Sequence, residues 1–262
     1  MRYLAFFQIS RLSTVPGLPW LLCACLTLGG CGGGANWGWH TVSPLTVQGQ
    51  RNLRFLADGF TATIGLAVAS AVVSVLLGML VALCAFSRLR ALRVFNRVYV
   101  EVCRAAPVLV VMLWVFYGLP VVADIRLDVF AAAVVALALC DSPFEAEILR
   151  AGIQSIERGQ REAALSLGLN EWQSFRTVVL PQAIRRVLPP IGNQFVYLVK
   201  MSSLASVIGA ADLTRKANEL VVTVFRPLEI YTVLIVEYLI LVLLVSWAVR
   251  GLERRMAVGD RR

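Results

Sequence analysis

The sequence predicts an all-α polytopic bundle that crosses a membrane. Hydrophobic residues fill 58% of the 262 positions and charged residues only 16%, an apolar share above the roughly 45–50% of soluble domains. The apolar residues gather into runs that reach the about 18–20 residues needed to span hydrocarbon. Inside those runs Leu, Val and Ala are near-continuous, whereas a transmembrane barrel would show short alternating segments.

The elements follow in order. Residues 64–86 form the first clear span, free of charge throughout. Residues 107–123, PVLVVMLWVFYGLPVVA, form the second. Residues 127–149 form the third, with Asp141, Glu145 and Glu147 in its second half. A fourth, less purely apolar span covers 183–211, and 231–249 is the fifth. Ahead of these, Arg2 and Arg11 precede LPWLLCACLTL and a glycine run. Eleven apolar residues also suit the core of a signal peptide, and Leu28-Gly29-Gly30-Cys31 weakly resembles a lipoprotein cleavage box. An uncleaved helix anchored by Trp37 and Trp39 is the favoured reading, with cleavage or lipidation as the alternative. The expected organisation is an N-terminal hydrophobic segment and linker at 1–55, a membrane domain at 56–250 with a water-side loop at about 150–182, and a tail at 251–262.

The net charge is +9, and the arginines report orientation. Arg88, Arg90, Arg93, Arg97 and Arg104 lie between spans one and two. Arg150, Arg158, Arg161, Arg176, Arg185 and Arg186 lie between three and four, and Arg250, Arg254, Arg255, Arg261 and Arg262 follow span five. The opposite side has Arg51, Arg54, Arg126, Arg215, Lys216 and Arg226. Sixteen against six makes the first three groups cytoplasmic. Scattered over loops, the arginines form no stripe of the kind nucleic acid requires. Cys23, Cys25, Cys31, Cys84, Cys103 and Cys140 contain no CxxC pair and read as small apolar fillers. His40 is the only histidine, too few for a His-based zinc site or a catalytic triad.

The longest cytoplasmic loop contains EAALSLGLNEWQSFRTVVLP, residues 162–181. Its first part holds good helix formers. Gly168 follows, where a left-handed residue commonly ends a helix. Asn170 is a suitable N-cap, with Gln173 as its capping-box partner. Trp172, Phe175 and Val179 recur at helical spacing and give one apolar face, and Pro181 is expected to end the pattern. A helix–glycine–helix elbow with such a face either lies on lipid headgroups or docks into a partner's groove.

Glu162-Ala163-Ala164, three residues, Gly168, nine residues, Val178, one residue, Leu180-Pro181 resembles the EAA loop of ABC importer permeases, with Val178 where the family has Ile. Arg104-Ala105-Ala106-Pro107 resembles the family's Arg-Gly-Thr-Pro. Ala146-Glu147-Ile148-Leu149-Arg150-Ala151-Gly152-Ile153 and Lys200-Met201-Ser202-Ser203-Leu204 resemble segments of its polar amino-acid branch. The resemblance covers about 56–256. It implies the type I ABC importer permease fold, with five core spans plus an N-terminal hydrophobic helix. It also implies a subunit that moves polar amino acids across the bacterial inner membrane and carries no covalent chemistry. The implied partners are a cytoplasmic ATPase gripping the EAA loop, an extracytoplasmic solute-binding protein, a second permease chain and membrane lipid. No cofactor is expected in this chain. Lys200 and Lys216 are the only lysines, neither follows GxxxxG, and ATP falls to the partner. The rival readings are an ion-gradient transporter or channel working through Asp141 and Glu145, and a membrane scaffold.

Asp141 and Glu145 stand four residues apart and share a helix face. Acids in a span are tolerated mainly facing water or a partner. The expectation is an acidic patch on the substrate path, favouring cationic amino acids, beside a kink at Pro143; the alternative is pairing with the protein's own arginines. Ser202 and Ser203 are further candidates for the path, with backbone hydrogen bonding as the commoner fate of serine in spans. Glu147, nearest Arg150, is expected to form a structural ion pair with it.

Overall fold

The computed structural model describes residues 37–257, with side chains to residue 254. After a short 3-10 turn at Trp39–Thr41, helix α1 runs Val47–Ala57, its N-cap Thr46 accepting from the Gly49 amide. Helix α2, Gly59–Phe86, begins five residues before the expected span. The reason is tertiary. Thr63 donates to the Gly59 carbonyl and accepts from the Leu213 amide at 3.1 Å, which buries this first turn.

Helix α3, Arg90–Ala105, occupies what the sequence marked only as an arginine-rich loop. Residues 108–123 form the second span as α4 (Val108–Leu113), a π turn (Trp114–Gly118) and α5 (Leu119–Ala123). Helix α6, Val129–Gln154, starts on an Asp128 cap and runs through Pro143. Helix α7 is Arg158–Ser166 and α8 is Glu171–Ser174, followed by a π turn at Phe175–Val179. Helix α9, Leu180–Met201, leads into a 3-10 stretch at Ser202–Ile208. Helix α10, Leu213–Val224, and α11, Pro227–Ala257, complete the described chain.

Pro181 does not end its helix as expected; the chain stays helical from Glu171 to Met201. The Leu180 amide bonds the Phe175 carbonyl, one residue further back than in an α-helix. The widened turn accommodates a ring that has no N–H to offer. The same device precedes Pro120, where the Leu119 amide reaches Trp114.

Three helices are long and apolar enough to cross a membrane, at 47–86, 129–154 and 227–254, and the number is up to five if each of two bent pairs is one span. Helices α2 and α6 make the central packing. Along α2 the buried positions are Leu66, Ala67, Ser70, Ser74, Gly78, Val81 and Ala82, mostly small residues that let backbones approach. A Cβ on Gly78 would sit 2.6 Å from the Glu145 Cβ and 3.0 Å from the Ala146 nitrogen. The main core joins Leu66, Met112, Ala132, Ala133, Leu137, Leu198 and Ala205. A second cluster joins Leu56, Ala217, Leu220 and Ile230. The N-terminal helix, its cleavage alternative and the last five residues of the tail lie outside the described residues.

Candidate coupling elbow and membrane cavity

The elbow is set by short-range chemistry. Gly168 has φ +86°, a conformation that costs any residue with a Cβ. Its amide bonds the Leu165 carbonyl at 3.0 Å and the Leu169 amide bonds the Ala164 carbonyl at 3.3 Å. These are the two bonds of a Schellman cap. Two residues on, Asn170 and Gln173 form a reciprocal capping box, at 2.9 and 3.0 Å. Arg161 Nε and Nη2 both donate to Glu171 Oε2, at 3.0 and 2.6 Å, tying α7 to α8. Every backbone amide from Leu167 to Asn170 thus has a hydrogen-bond acceptor.

The elbow divides into an anchored side and an offered side. Ala164, Ser174 and Val179 are buried, and Val178 and Leu180 half-buried. Glu162, Ala163, Gly168 and Pro181 are exposed, as are Leu167 (84%) and Trp172 (66%). The expected single face of Trp172, Phe175 and Val179 is therefore graded: Val179 packs inward, Phe175 is half-buried, and Trp172 stacks on Phe175 with its ring largely open. Arg186 holds the base of the loop by donating to the Ser155 carbonyl at the end of α6.

Between α3, α6 and α9 lies a cavity of about 260 Å³ whose walls include Arg104, Pro107, Asp141, Phe144, Tyr197 and Met201. Asp141 is almost wholly buried and accepts from Ser74 Oγ at 2.5 Å and from Gln194 Nε2. Glu145 is equally buried, but its Cβ packs against Gly78 of α2, it is absent from the cavity wall, and its Oε2 has no protein partner. The acidic patch is therefore split, with one carboxylate at the cavity and one in the α2–α6 seam. Ser202 donates to the Val199 carbonyl at 2.8 Å and Ser203 to the Lys200 carbonyl at 2.7 Å. Both start the 3-10 turn and neither lines the cavity.

Glu147 does not pair with Arg150. It bonds Arg104 Nη1 at 2.7 Å, while Arg150 bonds Gln154 Oε1 at 3.1 Å. Spacing along one helix picked the nearest arginine, but packing of α3 across α6 supplies a better-placed one. The Arg104 guanidinium also sits 4.8 Å over the Phe144 ring. Sequence reasoning missed Ser74, Gln194 and Tyr197, which surround Asp141. Ser74 did carry one signal, a polar side chain within a charge-free apolar span.

Residues 74–258 match the family described as binding-protein-dependent transport system inner membrane component. The chain belongs to that family. It is 44% identical over 162 residues to the glutamine transport system permease protein GlnP of Escherichia coli K12, covering 62% of this chain and 74% of that protein. It is 33% identical to the arginine transport system permease protein ArtQ of Bacillus subtilis, over 79% of this chain and 94% of that one. A crystal structure of an amino acid ABC transporter with histidines superposes with a TM-score of 0.73 at 36% identity, covering 79% of this chain and 96% of that one. The methionine transporter MetNI, in an inward-facing form, shares the fold at TM-score 0.67 and 21% identity.

Proposed function

We propose that the chain is the membrane-spanning permease subunit of an ATP-binding-cassette importer that moves polar amino acids into a bacterial cell. The observation that carries this reading is the capped elbow at 158–179, standing with an open apolar tip inside the family match at 74–258. The relatives named for glutamine and arginine transport give the substrate class.

In this reading Leu167 and Trp172 enter a cleft of a cytoplasmic ATPase, and the Schellman cap and capping box keep the elbow rigid enough to transmit movement. The π turn joins the elbow to α9 without a helical break, so a push at Trp172 is passed to Gln194 and Tyr197 at the cavity. Asp141 meets the substrate's ammonium group there. Glu145, Ser202 and Ser203 shape the surrounding helices. Glu162 offers the ATPase a free carboxylate. A second permease chain, an extracytoplasmic binding protein and a cytoplasmic C-terminus complete the arrangement, and ATP is bound by the ATPase alone.

Uptake of radiolabelled amino acids in cells lacking the gene, with and without the chain restored, tests it. Restored uptake should fail when ATP is depleted and persist when ion gradients are collapsed with ATP maintained. The opposite pattern would establish the ion-gradient transporter instead.

A further inference from the structure

Helix α3 carries a feature that amino-acid transport does not use. Arg90, Arg93, Arg97 and Arg104 recur along one side of it, while Phe95, Val98 and Val102 recur along the other, the two groups being centred more than a quarter turn apart at about 100° per residue. The three apolar side chains are all more than half exposed. The helix is bent by 99° from α4–α5, which follow it, so the two cannot both stand along the membrane normal, and α3, with its four arginines, is the one suited to the interface. It lies between the ends of α2 and α6, where Ala85 and Gln154 mark the last turns. A groove of about 700 Å³ opens between α3 and α6, walled by four arginines, Arg93, Arg97, Arg104 and Arg150, against two acids, Glu101 and Glu147. Arg104 is spent on Glu147 and Arg150 on Gln154. Arg93 and Arg97 are exposed and have no carboxylate within ion-pair reach among the described residues.

We propose that this groove binds the headgroup of an anionic phospholipid of the cytoplasmic leaflet, with α3 lying in the interface as its anchor. Two guanidinium groups without a partner complement a phosphate, which they hold through paired N–H donors. Phe95, Val98 and Val102 complement acyl chains at the same depth, as in interfacial amphipathic helices. Basic pockets between spans on the cytoplasmic side are suited to such headgroups. The asymmetry of arginines puts this end of α2 and α6 on that side. The inference rests on the membrane orientation and not on amino-acid transport, so lipid retention, read without any transport step, separates the two.

The test is to purify the full chain with its ATPase, exchange it into vesicles of equimolar phosphatidylglycerol and phosphatidylcholine, and measure the lipid each preparation retains by native mass spectrometry. Phosphatidylglycerol should be retained in preference. Arg93→Gln with Arg97→Gln should lower that preference by roughly fivefold per arginine. Arg93→Lys with Arg97→Lys should keep most of it, and Arg126→Gln, beyond the opposite end of the spans, should leave it unchanged. Equal retention of both lipids by the unaltered protein overturns the proposal, and so does undiminished preference in the glutamine pair. If the glutamine pair does not accumulate, preference in the unaltered protein and its loss at high salt decide the matter. Displacement of phosphatidylglycerol by inorganic phosphate would make the groove a soluble-anion site and overturn the lipid assignment. A fluorophore attached at Phe95→Cys should be quenched by a lipid-borne spin label; cross-linking to the same position in a second copy would make α3 a subunit interface and overturn it too.

Discussion

Replacing Gly168 tests the elbow at its narrowest point. A Cβ built there meets nothing within 4 Å, so bulk is not the issue and any effect comes from the backbone at φ +86°. The left-handed region costs an L-residue about 1–2 kcal/mol, least for Asn, whose side chain tolerates it, and most for β-branched residues. The chain escapes that cost by releasing the Gly168–Leu165 and Leu169–Ala164 bonds, which swings Leu167 and Trp172 off their positions. A penalty of that size lowers the population of the docking-ready elbow by about 5–30-fold. Co-purification of the ATPase with tagged permease, alongside ATP-dependent uptake, should therefore fall in the order Gly, Asn, Ala, Val, with membrane insertion unchanged. If Gly168→Val captured the ATPase and transported normally, or if Asn were as poor as Val, strain in the cap would not govern coupling.

Gly78→Ala should destabilise the bundle by about 1–3 kcal/mol, because its Cβ meets α6 at 2.6 Å. Gly65→Ala, whose nearest neighbour is the Phe130 ring at 3.8 Å, should be tolerated; thermal unfolding in detergent compares the two. A double-mutant cycle on Arg104 and Glu147 should show coupling of about 0.2–1 kcal/mol, the range for a half-exposed pair, and the Glu147–Arg150 cycle should show none. Asp141→Asn should raise the KM for uptake while Glu145→Gln leaves it near normal; equal loss from both would restore a shared acidic patch. Single cysteines at 126 and 161 should label from outside and inside respectively with an impermeant reagent in intact cells, and the reverse would invert the topology.

The small residues of α2 also explain how a buried carboxylate finds a hydrogen-bond donor. Ser74 and Gly78 bring the α6 backbone close enough for Ser74 to bond Asp141 directly. An acid inside a span costs at least about 2.5 kcal/mol unless it is met by water or a partner. Asp141 is met by two hydrogen-bond donors and the cavity, whereas Glu145 has an oxygen that finds neither. The two acids therefore differ in their surroundings despite sharing a helix face.

By itself the sequence determined what depends on neighbours within one or two turns. Apolar runs placed the long helices of an all-α membrane bundle, because burying backbone in hydrocarbon demands that each segment satisfy its own hydrogen bonds. Gly168, Asn170 and Gln173 declared the elbow, because a left-handed cap and a capping box are each complete within a few residues. The tertiary structure decided whatever required a partner from another helix. It gave Glu147 to Arg104, turned Asp141 to the cavity and Glu145 to Gly78, and carried the helix through Pro181 on a π turn. It also made a helix, α3, bent by 99° from the segment that follows it, where the sequence marked only a basic loop. Helical spacing reveals which residues share a face, but the rotation and crossing of packed helices decide what that face meets.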